Sequence, residues 1–279
     1  MDIVAVAEAA RDAGIEVLWF ADHFAVGGGT DEDPYRGVWE AVSLMAGVAA
    51  RVPGIQIGAL VMNTGYRNPG VIAKMAETID EISDGRFILG LGAGGMKPDH
   101  DQFGFPFDHR VSRFEEAIQI ISSLLRTGTA DYDGTYFQAH GAVNRPRGPR
   151  ASGPPLLVGS TGPRMLQLIA RHADAWNTTW HQDPAPVAAA MELVDAACLA
   201  VGRDSRSLIR TAGGNLAMAG YHGARPHAFD GTVAEKAAWL DGFRQIGLDH
   251  FVIGLDPATP ASLAAFAEVV SAYDALAAG

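Results

Sequence analysis

The sequence predicts an α/β fold, a (β/α) barrel built as a single domain over residues 1–279. Three observations carry that prediction. Continuous apolar runs of strand length alternate with helical patterns along the chain, as in a parallel sheet covered by helices. No break in composition divides the 279 residues. Hydrophobic residues make up 48% and charged residues 19%, enough for a sizeable core.

Asp2 is placed to cap a helix over residues 3–13. Val17–Ala21 is the first buried strand, and a helix runs from Val38 to Ala50. Ile55–Leu60 is the second strand. The next helix opens at Asn68-Pro69, a cap followed by a residue suited to the first turn, and stops at Ser83-Asp84-Gly85. Phe87–Leu91 is a strand and Val111–Leu125 an amphipathic helix. Two inserts interrupt the rhythm. Residues 92–110 form a long loop after a strand, and residues 127–155 hold a hairpin over Asp131–Phe137 with Asp133-Gly134 at its turn. Leu156–Gly159 is a strand leading into a helix from Pro163 to Arg171. Asp174–Thr178, Leu216–Met218 and Phe251–Leu255 complete the strands, and a helix from Ser262 to Leu276 closes the chain.

That makes seven strands, whereas a closed barrel of this class has eight. A missing strand leaves two unpaired edges, so the expectation is that the first strand has been lost by truncation.

Several functions are disfavoured. No apolar run is long enough to cross a bilayer, and Met1-Asp2-Ile3-Val4 lacks the basic and then apolar order of a secretory leader. Cys198 is the single cysteine, so no internal disulfide forms, and a cytoplasmic location is expected. A net charge of −11 without a basic stripe argues against nucleic acid. Arg145, Arg147 and Arg150 cluster in a Pro/Gly loop, either to draw an anionic ligand tail or as an ordinary solvated loop. Neither His-x-His nor His-Glu-x-x-His spacing occurs, so no metal site is expected, and no Gly-x-Ser-x-Gly elbow supports acyl transfer.

Ligands of barrels are met at the C-terminal ends of the strands. Asp22-His23 ends the first: the pair can poise a proton near neutral pH, or be a cap and a wall histidine. Ala59-Leu60-Val61-Met62 has no ionisable group and offers a flat wall to an aromatic ring, or is simply core. Gly90-Leu91-Gly92-Ala93-Gly94-Gly95 lets backbone approach a ligand, or makes a tight turn. Gly159-Ser160-Thr161-Gly162-Pro163-Arg164 joins a strand to a helix start, where free amides and hydroxyls suit a phosphate. Thr161 as an ordinary cap is the alternative.

Gly14–Phe24, Tyr66-Arg67-Asn68-Pro69, Asp84–Gly94, Arg113–Ile118 and Ala170–Asn177, in this order and spacing, resemble the luciferase-like, deazaflavin (coenzyme F-420)-dependent oxidoreductases. The resemblance implies a bacterial-luciferase-like TIM barrel whose first strand precedes the first helix, and it covers the final third less well. It implies that Asp22 and His23 contact the deazaflavin ring, with His23 transferring a proton. Ala59 and Leu60 back the ring at a non-proline cis peptide, Gly92, Ala93 and Gly94 line the coenzyme, and Gly159, Ser160, Thr161 and Gly162 form the phosphate turn. Sugar-phosphate-oxidising members carry a Trp after the His and a Glu after the strand-four glycines. Here those places read Phe24-Ala25-Val26-Gly27 and Gly94-Gly95-Met96, which argues against that activity, and Gln182 stands near where some members place a basic residue.

The implied activity is hydride transfer between coenzyme F-420 (an 8-hydroxy-5-deazaflavin) and a small organic substrate, by a homodimer. One alternative is a two-component monooxygenase using FMN supplied by a separate reductase. Others are a flavin-binding barrel without turnover and, last, a metal-dependent hydrolase.

Overall fold

The computed structural model describes residues 2–24, 26–27, 35–221, 223, 225 and 227–278; Ala25 of the Phe24–Gly27 stretch lies outside the described residues. Along the chain come α1 (Ile3–Asp12), β1 (Val17–Phe20), the short β2 (Val26–Gly27) and β3 (Tyr35–Arg36), α2 (Ala41–Arg51), β4 (Gln56–Ala59), β5 (Met62–Asn63) and α3 (Pro69–Ile82). Then follow β6 (Phe87–Gly92), α4 (Lys97–Phe103), α5 (Arg110–Thr127), β7 (Thr129–Asp133), β8 (Gln138–Val143), β9 (Leu156–Gly159) and α6 (Pro163–His172). The last are β10 (Ala175–Thr178), α7 (Pro184–Ala200), β11 (Ile209–Ala217), α8 (Val233–Gln245), β12 (His250–Asp256) and α9 (Pro260–Ala277). Each of the seven expected strands is present, and among the described residues no strand precedes α1.

The chain forms two compact units, Trp19–Gly159 and the remainder. In the first, β4, β6 and β9 run parallel, with Ile57 opposite Phe87 and Leu89 opposite Leu156. Leu60 N–H donates to the Phe20 carbonyl at 2.8 Å, which sets the end of β1 beside that of β4. Ile57, Phe87, Leu89 and Leu91 are fully buried with Met45, Ile72, Phe114 and Ile118 from the covering helices. Each such side chain contributes about 1.5–3 kcal/mol on leaving water.

The predicted caps hold. Asp2 Oδ1 accepts from the amides of Val4 and Ala5, and Asn68 Oδ1 accepts from Gly70 N–H at 2.8 Å, with Pro69 opening α3. Gly85 has φ +76°, and its N–H reaches back to the Asp80 carbonyl.

Arginines pin the helix ends of this unit. Arg86 donates to the carbonyls of Ala49 and Val52 at the end of α2, of Ser83 at the end of α3, and of Ile55 before β4. Arg147 pairs with the buried Glu77 at 2.7 Å, and Arg150 pairs with the buried Asp80. Two of the three loop arginines are therefore structural. The hairpin is also as expected, with Asp133 opposite Gln138 across the turn. Glu116 of α5 holds that turn by accepting from the amides of Thr135, Tyr136 and Phe137 at 2.8–2.9 Å.

In the other unit β10, β11 and β12 are parallel, with Asn177 opposite Thr211 and Leu216 opposite Leu255. Helix α6 packs on α7, α8 on α9, and α1 on α9. Trp239, Phe243 and Phe251 form an aromatic core with ring centroids 4.3–5.3 Å apart. Thr232 and Glu235 make a reciprocal capping box at the start of α8.

Three helices were not foreseen: α4 inside the long insert, α7 and α8. Strand β11 spans nine residues, not three. Among the described residues no helix is long and apolar enough to cross a membrane, and no group of three His, Cys, Asp or Glu is placed to hold a metal.

Candidate active site

Within the Trp19–Gly159 unit the ends of β1, β4, β5 and β6 bring most of the expected residues together. His23 and Asp22 follow β1. The His23 ring is about one-third exposed, and its Nδ1 lies 2.8 Å from Oδ2 of Asp99, which is fully buried on α4. Asp99 also accepts from the Tyr66 hydroxyl at 2.8 Å and, through Oδ1, from Phe24 N–H at 3.1 Å. A carboxylate that collects donors in this way places the imidazole proton on Nδ1 and leaves Nε2 as the proton-exchanging atom.

Asp22 faces inward. It is buried, grips Arg67 with both oxygens at 2.6 and 3.0 Å, and accepts from Asn63 N–H at 3.0 Å. Arg67 also reaches Glu40 Oε1 at 2.7 Å. Burial works against the Arg67 cation, but Asp22 and Glu40 more than offset it and raise its hold on the proton. For Glu40 burial acts to raise the carboxyl, and hydrogen bonds from Ser43, Val42 and Arg67 outweigh it and lower the carboxyl below its ordinary range. For Tyr66, burial first, then Asp99 and Asp22, hold the phenol well above its usual value.

Behind these groups lies a buried amide–imidazole contact. Asn63 Oδ1 accepts from Gly65 N–H, which turns Nδ2 toward His100 Nε2 at 3.0 Å, while His100 Nδ1 donates to the Pro106 carbonyl at 2.9 Å. Phe24, Tyr66, Phe103 and Phe105 wall this region, with Phe24 4.7 Å from Phe103 and Tyr66 4.8 Å from Phe105.

Ala59 is buried at the end of β4, Leu60 is half-buried, and a non-proline cis peptide joins Leu60 to Val61, one residue beyond the expected place. The Val61 side chain covers the glycines of the neighbouring strands. A Cβ on Gly92 would lie 2.6 Å from Val61 Cγ2, and one on Gly159 would lie 3.4 Å from Val61 Cγ1. Ala93 is half-buried after β6. Gly94 has φ +78° and packs against the Asn63 amide, so only glycine fits there without displacing Asn63.

Ser160, Thr161 and Gly162 belong to the other unit, at the start of α6. Gly162, not Thr161, is the N-cap, because it is the last extended residue before Pro163, and no side chain caps the helix. At its start Gly162, Pro163 and Arg164 are exposed, whereas Met165 and Leu166 are buried. In the same unit Gln182 donates to the His227 carbonyl, and half-exposed Trp180 follows a second non-proline cis peptide, from Thr179.

Sequence reasoning passed over Asp99, His100 and Asn63 as site residues. The signal was faint: Asp99 and His100 are two of several acids and histidines in an insert already marked as a binding wall, and Asn63 lies just past an apolar strand end.

Comparison with known proteins supplies the context. Residues 1–244 match the family model described as luciferase-like monooxygenase. A phthiodiolone/phenolphthiodiolone dimycocerosates ketoreductase of Mycobacterium bovis is 30% identical over 216 residues, 72% of this chain; the match spans 56% of that relative's own length. An F420-dependent secondary alcohol dehydrogenase, solved with an F420-acetone adduct, superposes with a TM-score of 0.82 at 17% identity, over 97% of this chain and 94% of its own. EDTA monooxygenase from Chelativorans sp. BNC1 gives 0.83 at 16% identity, over 99% and 88%. These likenesses show the fold to be the luciferase-like barrel that the sequence predicts.

Proposed function

The chain belongs to the luciferase-like monooxygenase family, and on that premise we propose that it is an oxidoreductase moving a hydride between a deazaflavin of the F-420 type and a small organic substrate. One observation carries the proposal: a partly exposed imidazole, His23, oriented through Nδ1 by a buried carboxylate, Asp99. Reduction of a carbonyl, or oxidation of an alcohol, requires one proton to move with each hydride. A histidine so oriented is suited to that task near neutral pH.

The residues fit such a coenzyme. Within the Trp19–Gly159 unit, the cis-linked Leu60-Val61 main chain and the Gly92-Ala93-Gly94 backbone offer the ring a wall without charge. When bound, the deazaflavin supplies the ring that accepts or donates the hydride. His23 Nε2 gives or takes the proton at the substrate oxygen. Asp99 keeps the ring in the tautomer that allows it. The ketoreductase and alcohol dehydrogenase relatives support this reading.

The likeness to EDTA monooxygenase supports a second reading, oxygen activation with FMN. Fluorescence quenching during titration with coenzyme F-420 and, separately, with FMN tests both. Tight binding of the deazaflavin alone is the expected result. Preference for FMN favours the monooxygenase, and binding of neither by folded protein overturns both.

A further inference from the structure

Two donors share one oxygen at the centre of this site. We propose that Tyr66 is a positioning residue which, by donating to the same Asp99 Oδ2 that holds His23, sets the pH at which the His23 imidazole exchanges its proton. The two contacts are equal in length, 2.8 Å each, and meet on a carboxylate with no exposed surface, where hydrogen bonds are electrostatically stronger than in water. Each donor draws electron density from the oxygen and so weakens its pull on the other. An imidazolium depends on that pull more than a neutral imidazole does, because its Nδ1–H bond is charge-assisted. The Tyr66 hydroxyl thus limits how firmly Asp99 can hold the charged ring.

Among the described residues, the neighbouring charges are engaged with one another. Asp22, the chain neighbour of His23, is engaged by Arg67, which also takes Glu40. On α4, Lys97 and Asp101 pair with each other at 2.6 Å. His100 lies beside the Tyr66 ring, but both of its nitrogens are occupied, by Asn63 and the Pro106 carbonyl. Burial keeps the Tyr66 phenol protonated, so it remains a donor across the working pH range. The functional meaning of the inference rests on His23 as proton carrier, whereas the shared oxygen does not.

The test is an NMR titration of the His23 ring in coenzyme-free protein, with the signal assigned by its loss in His23→Gln. In Tyr66→Phe the midpoint rises by roughly half a pH unit to one unit. In Asp99→Asn, which removes the anion, it falls. Incorporation of 3-fluorotyrosine at position 66 preserves the fold, strengthens the donor and lowers the midpoint. A midpoint that stays put or falls in Tyr66→Phe, or one that fails to fall with fluorotyrosine, overturns the proposal. If the midpoints move as expected while neither coenzyme binds, the functional reading fails and the role of Tyr66 stands. If a coenzyme binds while the midpoints stay put, the functional reading stands and the role of Tyr66 fails.

Discussion

Asp22 and Arg67 lie 45 residues apart in sequence and meet through two parallel hydrogen bonds of 2.6 and 3.0 Å, both side chains almost wholly out of water. Arg67 is the cation that holds the carboxylates of Asp22 and Glu40 together, while Asp22 fixes the end of β5 through Asn63 N–H.

Arg67→Ala therefore leaves Asp22 buried and uncompensated, and the unfolding free energy falls by about 3–5 kcal/mol. Arg67→Lys keeps the charge but not the fork, and loses less. Urea denaturation of the three proteins measures this, and an alanine variant within about 1 kcal/mol of the parent would refute it.

His23→Ala removes the proposed proton carrier and leaves the fold alone, since the ring is partly exposed. Turnover of a genuine substrate falls roughly 10²–10⁴-fold, while coenzyme affinity, read by fluorescence, changes little. Unchanged turnover would exclude the role.

Gly94→Ala meets two obstacles, a backbone at φ +78° and the Asn63 amide already in contact. The backbone alone costs about 1–2 kcal/mol, and displacing Asn63 disturbs its bond to His100. The melting temperature drops and coenzyme binding weakens together. A stable variant with intact binding would contradict both the crowding and the place of Gly94 in the site.

Burial holds His181 and His250 below the usual 6.5, with Glu16 working partly against it for His250. Folding disfavours their charged form, so the unfolded chain binds protons that the folded chain refuses. Stability from this source is intact above pH 6.5 and is lost as pH falls below it. Equilibrium unfolding at pH 7.5 and pH 5 shows the loss, and His181→Gln makes the dependence shallower. An equal slope in that variant assigns the effect elsewhere.

The elements most legible in the sequence were those whose local and tertiary signals agree. Asn68-Pro69 and Ser83-Asp84-Gly85 bound α3 because capping chemistry is local, and β6 and β9 read as unbroken apolar runs because both faces are covered. Strand β11 was mostly hidden, since Arg210, Thr211, Gly213, Gly214 and Asn215 break its apolar pattern, yet it is held between two parallel neighbours. Helix α7 is rich in alanine and aliphatic residues, so its periodicity is weak. At the site, His23 was legible as a polar residue at a strand end, whereas Asp99, 76 residues away, was not, because its partner exists only once α4 has folded.

Glu116 holds the hairpin turn by its main chain: the carboxylate takes three successive amides and asks nothing of the side chains of Thr135, Tyr136 and Phe137. The clasp is therefore blind to the letters written there, although the Tyr136 ring has its own contacts with Arg113 and His109. At Gly134 a Cβ would enter the space of the Glu116 carboxylate, so the latch fixes that one letter and reads only main chain at the next three.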